Sequence, residues 1–167
     1  IWQTASINGG PFSAGADLQA AMPLFMKGGA AAVEPFVAAF QDAAMRIKYA
    51  QVPVVAAMAG LALGGGCEIP MHCAARVAHH ETYIGLVELG VGLVPAGGGL
   101  KEAALRASQA AGAYGFTNLT EFVKPWFQNV AMAKVSKSAR EAQEMGFLAH
   151  TDTVVFNVHE LLHVAKS

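Results

Sequence analysis

Three consecutive glycines, Gly64-Gly65-Gly66, stand between an apolar β-branched run and a segment with helical character. No other feature restricts the fold as tightly. Val52-Pro53-Val54-Val55-Ala56-Ala57-Met58 reads as a buried strand that ends at Gly60, and Cys67 to about Cys73 reads as a helix. A strand that passes through glycines into a helix start leaves unpaired backbone N–H groups at that start, with the helix dipole behind them. Without side chains, those N–H groups can meet a ligand directly. The same glycines also serve tight packing of a helix on a sheet.

The stretch around the triplet is the most apolar of the chain, but it is not a membrane span. Between Val52 and Ala75 lie Pro53, the glycines, Glu68, Pro70 and His72, whereas a spanning helix needs about 20 mostly apolar residues. Over the whole chain of 167 residues, 54% are apolar and only 14% charged, with a net charge of −1. That balance excludes a disordered polar chain and lacks the basic footprint of nucleic-acid binding. It also suggests a surface partly hidden against a second copy or another domain. Cys67 and Cys73, both in apolar sequence, read as reduced thiols, which points to the cytoplasm. The N-terminus shows no signal-peptide pattern. The chain opens on Ile1 rather than Met and reads as a piece of something larger.

Strands and helices alternate along the chain, which predicts an α/β fold with its helices concentrated late. Ile1 to Ile7 reads as a strand, Asp17 to Gly28 as a short helix and loop, and Glu34 to Tyr49 as a helix with apolar residues at helical spacing. Arg76–His79 and Thr82–Gly85 read as short strands. Phe116–Ala133, Ser138–Met145 and Asn157–Lys166 read as helices, with Gly146 as a C-terminal cap. No internal repeat is visible in the residues. Residues 1–110 are expected to form the α/β core, and 111–167 a helical C-terminal region of the same domain.

Two carboxylates stand out because acidic residues are scarce here. Glu68 lies in Gly-Cys-Glu-Ile-Pro and Glu88 in Gly-Leu-Val-Glu-Leu-Gly, both apolar settings. Burial raises a carboxylate pKa and suits it to acid–base work near neutral pH, although a structural hydrogen bond or ion pair is the competing role. A second small-residue loop, Phe12-Ser13-Ala14-Gly15-Ala16-Asp17, follows a strand-like segment and could supply a second backbone donor. Two such donors suit a developing oxyanion.

These motifs, in this order, resemble the enoyl-CoA hydratase/isomerase (crotonase) family. The resemblance rests on Phe12–Leu18, on Ala57-Met58-Ala59-Gly60-Leu61-Ala62-Leu63-Gly64-Gly65-Gly66-Cys67-Glu68 and on Glu88-Leu89-Gly90-Val91-Gly92-Leu93-Val94-Pro95-Ala96-Gly97-Gly98-Gly99. It is close over about residues 8 to 106 and returns at Ser138–Leu148. The different segment between, Ala107–Lys137, looks like the hydratase part of bacterial fusions with a 3-hydroxyacyl-CoA dehydrogenase. The resemblance implies a crotonase-like ββα superhelix lacking its N-terminal strands, with a helical C-terminal part. It implies hydration of trans-2-enoyl-CoA in fatty-acid β-oxidation. Glu68 would act as base toward water and Glu88 would deliver a proton to C2. The N–H groups of Ala16 and Gly65 would form the oxyanion hole. Phe12, Ser13, Ala14, Asp17 and Gly64 would line the CoA substrate, with Ala14 near the adenine. It implies no metal and no cofactor, with NAD only for a fused dehydrogenase. The expected partners are an acyl-CoA and a second copy or neighbouring domain, with neither nucleic acid nor membrane. An isomerase and a non-catalytic acyl-CoA-binding fragment of a multifunctional protein are the alternatives. Lys27 is the one basic candidate for the CoA phosphates.

His159-Glu160-Leu161-Leu162-His163 matches the zinc-peptidase pattern H-E-x-x-H, but a catalytic zinc also needs a third protein ligand. Val158, Leu161, Leu162 and Ala165 instead read as the apolar face of an ordinary amphipathic helix.

Overall fold

The computed structural model describes residues 10–167; the expected strand over Ile1–Ile7 lies outside them. Two small parallel sheets form the frame. β1 (Val55–Met58) pairs with β3 (Ala75–His79), and β3 with β5 (Thr153–Val155). β2 (Leu61–Leu63) pairs with β4 (Tyr83–Gly85). Ser13 extends this second sheet through a parallel bridge to Ala62, with Ser13 N–H donating to Leu61 C=O and Leu63 N–H to Ser13 C=O, both at 2.9 Å.

The chain therefore winds in turns of strand, strand, helix. One turn is β1, β2 and α2 (Gly65–His72); the next is β3, β4 and α3 (Gly99–Ala113). Val55 pairs with Ala75 and Leu61 with Tyr83, so the turns stack with an offset of 20 or 22 residues. This repeat is invisible in the residues because the two turns share backbone path, not side chains. Gly60 makes the step between sheets at φ +67, packed on Gly10 and Pro11.

Parallel strands covered on both faces need small or branched apolar residues. Met58, Ala62, Ala78, Ile84 and Leu86 are accordingly buried, together with Cys67 and Met71 of α2 and with Phe147 and Leu148. Both cysteines are free and buried, and burial pushes the Cys73 thiol up to about 11.

The first helix departs from expectation. α1 (Leu18–Lys48) runs through Pro23 and Pro35, and Gly29 breaks its geometry at φ 57 and ψ −150. From Leu18 on, the helix and the loop expected over Asp17–Gly28 are thus both helical and join the second helix at this kink. Asp17 caps α1, its carboxylate accepting the N–H of Ala20 at 3.1 Å.

The C-terminal region is also not wholly helical. α4 begins at Thr120 (Thr120–Ala131), α5 spans Ala139–Glu144 before Gly146 at φ +86, and β5 follows. β5 is placed by Asp152, which accepts from the Arg76 guanidinium Nε at 2.6 Å and from the Ala149 N–H at 2.6 Å. Arg76 belongs to β3, so this buried pair ties 111–167 into the sheet begun before residue 110. The final segment is a short 3₁₀ turn, Val158–Glu160, running into α6 (Leu161–Lys166). Among the described residues, no helix is long and apolar enough to cross a membrane.

Candidate active site

Parallel strands deliver their C-terminal ends to one edge. Ser13, Leu63 and Gly85 lie side by side in one sheet, so the segments that follow them emerge together: Ala14–Asp17, Gly64–Gly65 and the turn Glu88–Val91. Gly64 N–H donates to Gly85 C=O at 2.9 Å, which closes the junction.

The glycines are dictated by contact. Ser13 leans directly on Gly66, where a Cβ would lie 2.5 Å from the Ser13 carbonyl oxygen. Gly15 lies over the start of α2; a Cβ there would sit 3.6 Å from the Gly65 nitrogen. The Phe40 ring of α1 covers Gly65, where a Cβ would meet it at 3.1 Å. Thus the loop carrying Ala16 rests against the N-terminus of α2. Neither the Ala16 nor the Gly65 N–H has an acceptor among the described residues.

Glu68 and Glu88 flank these donors. Glu88 Oε1 lies over Gly64, at 3.4 Å from the position of a Cβ there. Both its carboxylate oxygens are buried without a hydrogen-bond partner among the described residues. Burial raises Glu88 to about 7, opposed by its own backbone N–H, with the Glu68 charge adding a smaller upward push. Glu68 is 4% exposed, and burial raises its pKa too, opposed by the N–H groups of Gly99, Gly97 and Gly98. The Gly99 N–H donates to Glu68 Oε1 at 2.8 Å. One carboxylate is thus oriented by backbone, and the other is orphaned and poised near neutrality. Such a pair can take and give a proton across a bound molecule.

The Glu88 shift has a consequence for stability. A carboxylate whose native pKa is raised holds its proton more tightly when folded, so it contributes stability below about 4.5 that is lost as pH rises toward 7. The fall in Tm between pH 5 and pH 8 is therefore expected to be smaller in Glu88→Gln than in the wild type, by calorimetry. Identical Tm profiles would show that Glu88 ionises without cost.

The remaining expected contacts divide. Phe12 packs against the main core, and its N–H donates to Ala59 C=O at 2.9 Å. The Ser13 hydroxyl accepts the Gly15 N–H at 3.2 Å, which shapes the loop. Asp17 is occupied at least in part by its cap, while Ala14 and Ala16 are exposed beside the site. Lys27 is exposed on α1. His159 and His163 are exposed on either side of buried Leu161, and no group of three or more His, Cys, Asp or Glu suited to a metal comes together among the described residues. Reading the residues missed Phe40 and the Gly97–Gly99 contacts to Glu68, since neither follows from local spacing.

Comparison with known proteins shows the family. The family model for enoyl-CoA hydratase/isomerase matches residues 5–125. A Bacillus subtilis (strain 168) protein named "Probable 3-hydroxyacyl-CoA dehydrogenase" is 46% identical over 127 residues, covering 76% of this chain and 16% of that protein. Human mitochondrial methylglutaconyl-CoA hydratase is 41% identical over 90 residues, 54% of this chain and 25% of that one. The crystal structure of an enoyl-CoA hydratase from Bacillus anthracis superposes with a TM-score of 0.66 at 27% identity, over 93% of this chain and 51% of that chain. The chain thus spans about half of the solved relative and about a sixth of the B. subtilis protein. With a matching family model over most of its length and a fold match to that solved relative, the chain belongs to the enoyl-CoA hydratase/isomerase (crotonase) family.

Proposed function

We propose that this chain forms the hydratase site of a protein acting on trans-2-enoyl-CoA thioesters in fatty-acid β-oxidation. The observation that carries the reading is the orphaned, buried carboxylate of Glu88 beside the free N–H at the start of α2, with Glu68 as its neighbour. Glu68 takes a proton from water as the water oxygen bonds to C3. The electron pair of C2=C3 moves toward the thioester, whose oxygen gains negative charge and accepts from the N–H groups of Ala16 and Gly65. Glu88, protonated at the outset, gives its proton to C2 on the same face, and Glu68 passes the proton it took back to Glu88 through solvent before the next turnover. The sum is one water added to one double bond, so the step balances with neither a redox cofactor nor a metal.

Fixed donors aimed at a developing oxyanion are worth about 3–4 kcal/mol each where one has been removed from other enzymes. The CoA moiety runs along Phe12–Asp17 and Gly64, with Ala14 nearest the adenine. The product is a 3-hydroxyacyl-CoA, the substrate named for the B. subtilis relative, which suits a place beside a dehydrogenase that uses NAD. Free, buried thiols fit a reducing cytoplasm. Phe127, Met132 and Phe156 stand about 70% exposed, which fits coverage by a second copy or another domain.

Loss of absorbance of crotonyl-CoA on incubation with the full chain tests the reading. Steady hydration to 3-hydroxybutyryl-CoA is the expected result. Migration of a 3-enoyl double bond without hydration would replace it with the isomerase, for which one carboxylate suffices. Tight acyl-CoA binding by calorimetry without turnover would reduce it to a binding module.

A further inference from the structure

Behind Glu68 lies a buried charged junction that the proposed chemistry does not use. Glu102, on the first turn of α3, is 3% exposed. Its carboxylate pairs with Lys48 Nζ at the end of α1 and with Lys101 Nζ at 2.8 Å. His72 of α2 completes the group, its Nε2 3.6 Å from Glu102 Oε1. The other ring nitrogen, Nδ1, is 2.7 Å from the backbone carbonyl of Glu68. A carbonyl only accepts, so Nδ1 carries the proton and Nε2 is left bare and without a hydrogen-bond partner. Burial and the two lysines hold His72 in this neutral form against the pull of Glu102.

This junction borders the one loop that orients Glu68. Gly97-Gly98-Gly99 has no side chain with which to hold itself, and three glycines lose much conformational freedom on ordering. It is fixed by what surrounds it. Phe40 and Glu68 close on Gly97, the His72 ring fills the place of a Gly98 Cβ at 2.7 Å, and Leu86 packs on Gly99. The polar anchor is Glu102, whose N–H donates to Gly98 C=O at 2.9 Å while its carboxylate ties α3 to α1. An exposed glutamate near a helix start would merely complement the dipole; a buried one paired with two lysines from two helices locks the helix in place.

We propose that Glu102 is a positioning residue for Glu68: through its ion pair with Lys48, beside the packed His72 ring, it locks the start of α3, so that the Gly99 N–H stays on the Glu68 carboxylate. The proposal rests on the hydratase reading for its kinetic consequence but not for its structural one. The charged and titratable groups facing Glu102 are Lys48 from α1, His72 from α2, and Lys101 and Arg106 from α3; those facing Glu68 are Cys67 from α2 and Glu88 from the turn after β4.

The test is Glu102→Gln in the full chain, read by a carbon-13 carboxyl titration of Glu68 and by the kinetics of crotonyl-CoA hydration. Loosening the Gly99 bond removes a donor that favours the Glu68 carboxylate, so its midpoint is expected to move to higher pH. Simple loss of a nearby negative charge would move it to lower pH, so the direction separates positioning from a through-space effect. Turnover is expected to fall about tenfold with KM within about twofold, as for a misplaced group rather than lost binding. An unmoved or lowered Glu68 midpoint overturns the proposal, even if Tm drops. If Glu102→Gln does not fold, the same titration on the double variant Lys48→Met, Glu102→Gln decides: it removes the buried pair with no change in net charge, so a raised Glu68 midpoint is again expected and an unmoved or lowered one overturns the proposal. If the wild type fails to hydrate crotonyl-CoA, the hydratase reading falls, while the titration still judges the role of Glu102.

Discussion

In the Glu68→Gln, Glu88→Gln double variant, hydration of crotonyl-CoA is expected to fall by about 10⁴-fold or more, with the fold unchanged by circular dichroism. Proton transfer by a positioned side chain contributes about 10²–10⁴-fold, so either single change should cost a large part of the total. Groups that act as a unit do not add, and the double variant should lose less than the product of the two. Glutamine keeps the volume of each side chain and, at position 68, can still accept the Gly99 N–H that now meets Oε1 at 2.8 Å. At position 88 it replaces a carboxylate whose oxygens are buried and unpartnered, so stability there should rise rather than fall above pH 7. Unchanged turnover in the double variant would remove both carboxylates from the reaction.

Gly66→Ala is expected to lower turnover by about 10²-fold and stability by about 1–3 kcal/mol. The added Cβ would lie 2.5 Å from the backbone oxygen of Ser13 and 2.6 Å from its Cβ. Backbone cannot step aside as a flexible side chain can. The Ser13 strand must move away from α2, and the loop carrying Ala16 moves with it. The two N–H groups proposed to meet the thioester oxygen then separate, although neither Glu68 nor Glu88 has changed. Urea unfolding and crotonyl-CoA kinetics read the two effects. Wild-type kinetics in a destabilised Gly66→Ala chain would show that the donors are not set by this contact.

Gly64 and Gly65 respond differently, which shows that the triplet is not one feature. Gly64 adopts φ +55 under the Glu88 carboxylate, and Gly65 carries the free N–H under the Phe40 ring. Conformation, access and close approach each require one of the three.

Much of the frame was legible. Strand β1, helix α2 and strands β3 and β4 follow from apolar runs and the glycines between them, and Glu68 and Glu88 stood out as carboxylates in apolar sequence. β5 was not legible. Three residues, Thr153-Val154-Val155, carry too little pattern, and only the Arg76–Asp152 pair and the free edge of β3 make them a strand. Helix α1 was read as two pieces because Pro23, Pro35 and the Gly28-Gly29 pair are local stop signals. The helix passes through the prolines and spends its irregularity on a kink at Gly29. The stacking offset of 20 to 22 residues was invisible because it is a repeat of path.

By itself the sequence determined the local chemistry: where the backbone must lack side chains, which carboxylates would resist burial, and which runs must be strands. Those properties depend on near neighbours along the chain. Only the tertiary structure decided which of them meet. Parallel pairing of the Ser13 segment, β2 and β4 brings three loop starts, up to about 75 residues apart in the chain, to one edge, and that is what places Ala16, Gly65 and Glu88 together. The partners of Glu68 were likewise decided there, since Gly99 reaches its carboxylate across 31 positions and Lys48 reaches Glu102 across 54. Contacts of such range depend on how strands wind and helices stack, and no local pattern of residues encodes them.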